Sequence, residues 1–494
     1  MPVPSDNYAL WSDQFNDAMK NVYAKGGVQN LWAVDTPILK TIGGLSTNPE
    51  IKQEGAGFIF PLSHNFSQGH SYHARGSGPV AFRPARPGTV KKATVTATQH
   101  LHRISTDWES ITRAGQSSVP EAAFERLSER LLNEAKWGCL ARVEESIIYD
   151  GTNLAIFDGG TGAATIGNET IDGVVKSILH VTVKYEAWAL GLFLGKEGAA
   201  YDIYALTSTY RPTGTRLNIN GTVTLGDGST APQPVILEAI GDAEARELWF
   251  SGHASDLTAI ATAINTNPVV TNYGLVYWDT VGNITNGMDW IITNGTASNY
   301  YGIDPNLSLW YRGATVSNGD KQMTYQRFQR LILKLVQKGL SGAGVKELVG
   351  QGAEAERLSM IDVWCNPATY TDLTTNEGGQ VRHNTPQVNE KATVGFSGVV
   401  INTMLGPTRF WAYNKIKEGE MFVLPTALVS DLVGTQVPTL RNWGRQGDEQ
   451  YFRQVEGVTG LEAAMYGILG YFISRPGYCL KITNIRNSDY EAEA

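Results

Sequence analysis

Cysteine is almost missing from this chain: three residues in 494, at Cys139, Cys365 and Cys479. An odd number of widely separated cysteines excludes a disulfide framework, and their spacing matches no structural zinc pattern. They are expected to be buried apolar side chains in a reducing compartment. Long hydrophobic runs are missing as well. No stretch reaches the ~18 apolar residues of a membrane span, so no membrane is expected as a partner. The opening MPVPSDNYALWSDQF lacks the basic-then-apolar order of a secretion signal. The chain is expected to stay in the cytoplasm where it is made, or to leave by a route other than secretion. Charge is sparse too, at 18% of residues, with a net value of −8. That balance argues against nucleic-acid binding over the whole surface while leaving room for a local basic patch.

Catalytic signatures are equally scarce. GLFLGKE around Lys196 is one residue short of a phosphate loop and has no Ser or Thr after the lysine. GQG at Gly350 stands alone, and no GxSxG, HExxH or kinase set occurs. Glu144-Glu145 and Asp448-Glu449 are adjacent in sequence. Neighbours on a helix do not face each other, so both pairs read as solvated acids. No catalytic residue, cofactor or metal follows from these patterns, and the chain is expected not to be an enzyme.

Two regional absences are more informative. Between Glu54 and Asp107 there is no Asp or Glu, while Arg75, Arg83, Arg86, Lys91, Lys92 and Arg103 all fall there. Five of the eight histidines join them: His64, His70, His73, His100 and His102. Without Cys, Asp or Glu alongside, these read as interface or solvated histidines rather than metal ligands. The pattern is a strand out (GFIFPL), a Gly-rich tip (GHSYHARGSGP) and a Thr/Val-rich strand back (TVKKATVTATQHLHRIS). A hairpin this long is barely stable alone, and a basic one needs an acidic surface to lie on. Tyr72 and Phe82 among the arginines would suit single-stranded nucleic acid. The acidic remainder of the chain suits self-association better, the ribbon of one copy on the body of the next. The second absence is lysine: none lies between Lys196 and Lys321, and acids outnumber Arg211, Arg216, Arg246 and Arg312. Asn-Gly pairs at Asn220, Asn286, Asn294 and Asn318 predict hairpins. TRLNINGTVTL, PVILEAI, GLVYWD and DWIIT read as short strands, and 254–265 as a helix.

What is present includes an amphipathic helix over about 7–22 and one unusually long helix, 118–149. Ser118 and Glu121 form a capping box with Pro120 in the first turn. Phe124, Leu127, Leu131, Ala135, Val143 and Ile147 continue one apolar stripe, and Gly151 ends it. Such a helix runs roughly 45–48 Å, more than the ~38 Å breadth of a compact 150-residue domain. It is either a spine across something flat or an ordinary long helix of a large enzyme. Beyond 320, MTYQRFQRLILKLVQKG reads as a helix, MIDVWCNP as a buried strand, PATYTDL as a helix start, and GFSGVVINTM and TRFWAYN as strands. LEAAMYGILGYFIS and YCLKITNI, around Arg475-Pro476-Gly477, read as a closing strand pair.

This order of elements resembles the major capsid protein of tailed double-stranded DNA bacteriophages, the HK97-like capsid fold shared with encapsulin shells. The resemblance lies in order and texture rather than in a strict motif, and covers all but roughly 200–310. It implies an α+β fold with an N-terminal arm (1–54), an extended β E-loop (55–106) and the spine helix with the start of the peripheral, or P, domain (107–195). An axial, or A, domain region with a β-rich insertion (196–320, the insertion about 200–310), the A domain itself (321–425) and the P-domain return with C-terminal strands (426–494) would follow. Function would then be mechanical: hexamers and pentamers tiling an icosahedral shell around packaged double-stranded DNA, with no sequence-specific binding.

On that resemblance Arg75, Arg83, Arg86, Lys91, Lys92 and Arg103 make intersubunit E-loop contacts, and Phe124, Leu127, Leu131, Val143 and Ile147 form the spine-helix core. The implied partners are the chain itself, a portal, a separate scaffolding protein because the arm is short, and a decoration protein for which the insertion is a candidate seat. The implied place is the virion capsid, assembled in the host cytoplasm. Some relatives cross-link an E-loop lysine to a neighbour; the tip here has none, so covalent cross-linking is not expected. An encapsulin-like cargo shell, a tail or baseplate structural protein and a cytoplasmic β-rich hydrolase remain open on the residues alone.

Overall fold

A computed structural model describes residues 36–46, 51–55, 57–65, 87–107, 120–171, 173–224, 229–266, 272–278, 280–283, 286–294, 300–306, 309–338, 360–377, 399–442, 451–454 and 460–487. The expected helix at 7–22, the E-loop tip and Asp448-Glu449 lie outside them. Along the chain run α1 (Pro37–Ile42), β1 (Lys52–Glu54), β2 (Gly57–Asn65), β3 (Thr89–Thr96), β4 (Thr98–Asp107) and the long α2 (Pro120–Tyr149). Next come β5 (Ala155–Ile156), β6 (Ala164–Ile171), β7 (Val174–Thr182), β8 (Ala200–Leu206), β9 (Pro212–Arg216), β10 (Thr222–Thr224), β11 (Thr230–Pro232), β12 (Val235–Ile240) and β13 (Glu247–Ser251). They are followed by α3 (Ala254–Thr266), β14 (Asn272–Tyr277), α4 (Met288–Thr293), β15 (Ala314–Lys321), α5 (Tyr325–Gln337), β16 (Ile361–Cys365) and α6 (Pro367–Glu377). The last elements are β17 (Val399–Thr403), β18 (Gly406–Ala412), β19 (Met421–Leu424), α7 (Thr426–Val429), β20 (Ser430–Leu440), β21 (Arg453–Gln454), β22 (Gly460–Ile473) and β23 (Leu480–Ile485).

The chain divides into two compact units. The first combines Met1–Phe58, Val95–Ile147 and Asp431–Phe472. Its sheet has the order β20-β22-β21, with β4 also on β22. β4 and β22 form an antiparallel ladder from Gly460↔Asp107 to Leu469↔Thr98. The long apolar run of β22 follows from its central place, because a strand covered on both faces has no polar side to show. Its backbone is approached closely: a Cβ on Gly434 of β20 would sit 2.0 Å from the Ile468 carbonyl oxygen. Along β4, Leu101, Arg103 and Ser105 are exposed while Ile104 and Thr106 are buried. The inner side of β4 meets α2, where a Cβ on Gly138 would lie 2.8 Å from the His102 ring. Leu131, Ala135, Cys139, Leu140 and Val143 supply the buried stripe of α2 in this unit.

The second unit takes Ile59–Thr94, Ile148–Ser430 and Ile473–Ala494. One sheet has eight strands, in the order β5-β14-β8-β12-β13-β7-β6 with β9 on β8. Another has six, in the order β15-β23-β19-β16-β18-β17, and the chain's smaller sheets are β10-β11 and β1-β2-β3. All five residues of β16 are buried: four are apolar, and the fifth, Asp362, is held by Arg409 at 2.7 Å. Trp364 stacks on Trp411 of β18 with centroids 5.3 Å apart. α5 packs against β15 and β23, and α6 against β18 and α5. All three cysteines are buried, as expected.

Three expectations fail. The closing pair is not a pair: β22 lies in the first unit's sheet, whereas β23 lies between β15 and β19 in the six-stranded one. The break at Arg475-Pro476-Gly477 is therefore a passage between sheets rather than a hairpin turn. DWIIT is helix α4, because Met288, Ile291 and Ile292 share one buried helical side. None of the three Asn-Gly pairs described in full closes a two-residue hairpin, and Asn294 of the fourth ends a helix. Gly287 is the N-cap and Asn294 the C-cap of α4. Asn318-Gly319 lies in an irregularity within β15, with Gly319 at φ 69 and Asp320 at φ 51. Asn220-Gly221 wraps the Asp256 carboxylate of α3, which accepts the Ile219, Asn220 and Gly221 amides at 3.1, 2.8 and 3.0 Å.

Candidate assembly surfaces

Arg75, Arg83 and Arg86 lie outside the described residues. The base of the ribbon is described. β3 carries Lys91 half-buried and Lys92 exposed, beside an exposed Val90. The Thr94 amide donates to the Tyr301 carbonyl at 3.0 Å, so this strand base is held by its own unit. Arg103 sits on the outer side of β4 and pairs with Glu462, which also accepts from Arg453 Nε at 2.5 Å. Both arginine side chains remain half or more exposed, at 63% and 50%, while Glu462 is 5% exposed. Burial would raise the Glu462 carboxyl, but the two arginines outweigh it and hold it below its usual range.

The expected helix core is placed as follows. Leu131, Val143 and Ile147 are buried and Leu127 is half-buried. The Phe124 side chain lies outside the described residues. The two adjacent acids of α2, expected to be solvated, are both buried. Glu144 Oε1 accepts the Ile38 amide at 3.0 Å, at the start of α1, whose N-cap Thr36 makes no side-chain cap bond. A carboxylate from α2 therefore does the work of a missing cap. The histidines of β4 are not solvated either. Burial first, and Arg142 second, lower the His100 pKa to about 4; burial lowers that of His102 as well. No group of three or more potential metal ligands occurs among the described residues.

The second unit holds a buried ionic cluster that sequence reasoning missed. Lys481 of β23 lies 2.6 Å from Asp289 of α4 and 2.6 Å from Glu420. Lys417 donates to the Asn153 carbonyl at 2.8 Å and lies 4.3 Å from the Tyr149 ring centre. Burial disfavours the charge on Asp289, yet Lys481 and Lys417 hold its pKa below the usual value. Burial likewise opposes Lys481, and its two carboxylates raise it. Two ammonium groups and two carboxylates balance, so the cluster ties β23 to α4. The only sequence hint was a lysine inside an apolar strand.

Beside it a cavity of about 240 Å³ is lined by Asp150, Gly151, Arg211, Asn286 and Trp290, among others. Arg211 stacks over Trp290 at 4.7 Å and donates to the Trp290 carbonyl and to Asn294. Gly151, at φ 79, ends α2 where a Cβ would meet Asn286 at 2.7 Å. The lining holds one carboxylate, Asp150, and no histidine, cysteine, serine or lysine.

No protein-family model matches the chain. No curated protein sequence matches it either. The solved structures it is similar to include phage capsids. One is the cyanophage A-1(L) capsid asymmetric unit, at TM-score 0.42 and 11% identity over 92% of this chain and 93% of that one. A second is the capsid of a native GTA particle, at 0.37 and 7% over 91% of each. A third is from Mycobacterium phage Patience, at 0.35 and 9% over 95% of this chain and 88% of that one. All three TM-scores lie below 0.5, so none of these structures stands in for the features of the chain itself.

Proposed function

We propose that the chain is a structural shell subunit, the major capsid protein of a tailed double-stranded DNA phage, and not an enzyme. The observation that carries this reading is the first unit's construction. A 30-residue α2, about 45 Å long, lies on a sheet assembled from two distant stretches, 98–107 and 460–469. In sequence, an acid-free basic ribbon runs directly into β4 of that sheet. A long helix on a thin sheet leaves broad lateral surfaces for neighbouring copies rather than a deep substrate pocket.

In this reading α2 is the spine, the first unit is the P domain with the N-terminal arm, and the second unit carries the ribbon as E-loop, the A domain and the β-rich insertion. Arg75, Arg83, Arg86, Lys91, Lys92 and Arg103 contact neighbours, Arg103 through its exposed outer side. Copies associate as hexamers and pentamers in the host cytoplasm and become the virion shell around DNA held without sequence preference. A portal, a separate scaffolding protein and a decoration protein on the insertion complete the set of partners.

The test is charge reversal in the ribbon. Arg83→Glu with Arg86→Glu is expected to leave a folded subunit by circular dichroism and to abolish particles in sedimentation velocity. Normal particles from that variant would overturn the E-loop assignment. Nucleic acid inside wild-type particles separates a virion shell from an encapsulin-like cargo shell.

A further inference from the structure

A second cationic surface lies far from the ribbon in sequence. Between Asp320 and Glu347 there is no acid, while Lys321, Arg327, Arg330, Lys334, Lys338 and Lys346 all fall there. Half of that stretch is α5. Its inner side is buried through Phe328, Ile332 and Leu335, and Thr324 caps it by accepting the Arg327 amide. Its outer side shows Arg330, Leu333, Lys334 and Gln337 to solvent. Among the described residues Arg327, Arg330 and Lys334 have no ion-pair partner. Lys338, at the end of the helix, is lowered by burial, and Arg312 and Lys334 press it further down. Its Nζ donates to the Arg312 carbonyl at 2.6 Å. Cations therefore crowd this end of the helix with little relief.

The surface is not purely cationic. Leu333 and Met404 are each 45% exposed. Met404 is held beside the helix by its amide, which donates to Gln329 Oε1 at 3.4 Å, one turn before Leu333. The patch has an apolar centre and a cationic rim. Bare phosphate would match the rim and leave the centre unused, whereas a protein segment with carboxylates and small apolar side chains matches both.

The same chain carries such a segment. The turn between β12 and β13, residues 241–245, is exposed throughout and reads Gly-Asp-Ala-Glu-Ala. It is preorganised. Asp242 Oδ1 accepts the Glu244 amide at 2.8 Å and the Ala245 amide at 3.2 Å, and the Glu247 amide closes on the Asp242 carbonyl at 2.8 Å. Arg246, at φ 58, finishes the turn in the left-handed region. The turn offers two carboxylates two residues apart, flanked by Ala243 and Ala245. On α5, Arg330 and Lys334 stand one helical turn apart, about 6 Å. The two patches belong to different sheets of their unit, the turn to the eight-stranded one and α5 to the six-stranded one.

We infer that α5 of one copy receives the acidic β12–β13 turn of the next, with Arg330 and Lys334 facing Asp242 and Glu244 and with Leu333 and Met404 against the alanines. The inference rests on the shell reading and names one contact within it. Because the two surfaces differ, the contact is heterologous and closes into rings when repeated about an axis.

The experiment is a charge swap in the full chain. Arg330→Glu with Lys334→Glu, and separately Asp242→Lys with Glu244→Lys, are each expected to lower the particle fraction in sedimentation velocity at least about tenfold, since like charges then face each other. The four-residue combination is expected to restore it. Circular dichroism is the control for folding of each variant. Wild-type-like assembly of either single pair, or no rescue by the combination, overturns the contact while leaving the shell reading intact. Unchanged assembly with loss of co-purifying nucleic acid also overturns it and assigns α5 to phosphates. If the wild type forms no particles, the shell reading and this contact fall together.

Discussion

The two units differ in how they bury ionisable groups, although the first also holds one buried carboxylate, Glu462, between Arg103 and Arg453. In the first, His100 and His102 are kept neutral beneath α2, and Glu144 is engaged by a backbone amide. In the second, buried carboxylates are paired with cations: Asp289 with Lys481, Asp362 with Arg409 at 2.7 Å and Asp202 with Arg216 at 2.6 Å. Neutral burial is exposed to mild acid, because a proton creates an unsolvated charge. Paired burial persists until the carboxylates themselves titrate. Within one chain, then, the helix-on-sheet unit is the acid-sensitive one.

The largest way to break the comparison is to leave the paired cluster without its central cation. Lys481→Met removes the main partner of buried Asp289 and half-buried Glu420 and is expected to cost about 3–5 kcal/mol, read as a lower urea midpoint at unchanged slope. Acid comes next. The folded pKa of His100 lies near 4, below its ordinary 6.5. The unfolded chain therefore binds the proton more readily, and the stability from neutral burial is complete above about pH 6.5 and lost as the pH falls toward about 4. Asp431 is raised by burial, gains as it protonates, and offsets part of this loss. Hydrogen exchange of α2 and β4 amides is expected to quicken across that window, while β16 and β23 stay protected. His100→Gln should flatten the change. Glu144→Gln weakens the acceptor that caps α1 and is expected to cost about 1–2 kcal/mol by thermal melting. Smallest is Arg453→Ala, whose half-exposed side chain pairs with Glu462: a loss below about 1 kcal/mol, because Arg103 still holds the carboxylate.

Periodicity made the long elements legible. α2, α5, α3 and the buried β16 follow from apolar spacing and caps that act within a few residues. Pairing was not legible. LEAAMYGILGYFIS and YCLKITNI look like one hairpin because both are apolar and a Pro-Gly break divides them. Which sheet accepts each depends on partners hundreds of residues away, β4 for one and β15 for the other. The Asn-Gly pairs misled for a related reason: short polar residues also serve helix ends, as Gly287 and Asn294 do at ordinary φ, and strand irregularities, where Gly319 takes φ 69. Glu144 and Lys481 were invisible as functional positions, since their partners, Ile38 and Asp289, are distant in sequence. The basic ribbon was legible by its lack of acids. The cationic face of α5 was marked by the same signal and is as clear in sequence.

The most direct measurement is negative-stain electron microscopy of the full chain expressed with a co-encoded scaffolding candidate, across a range of salt. The account predicts closed polyhedral particles built from rings. Discrete small oligomers under every condition would contradict it and turn attention to the cavity beside Arg211 and Trp290.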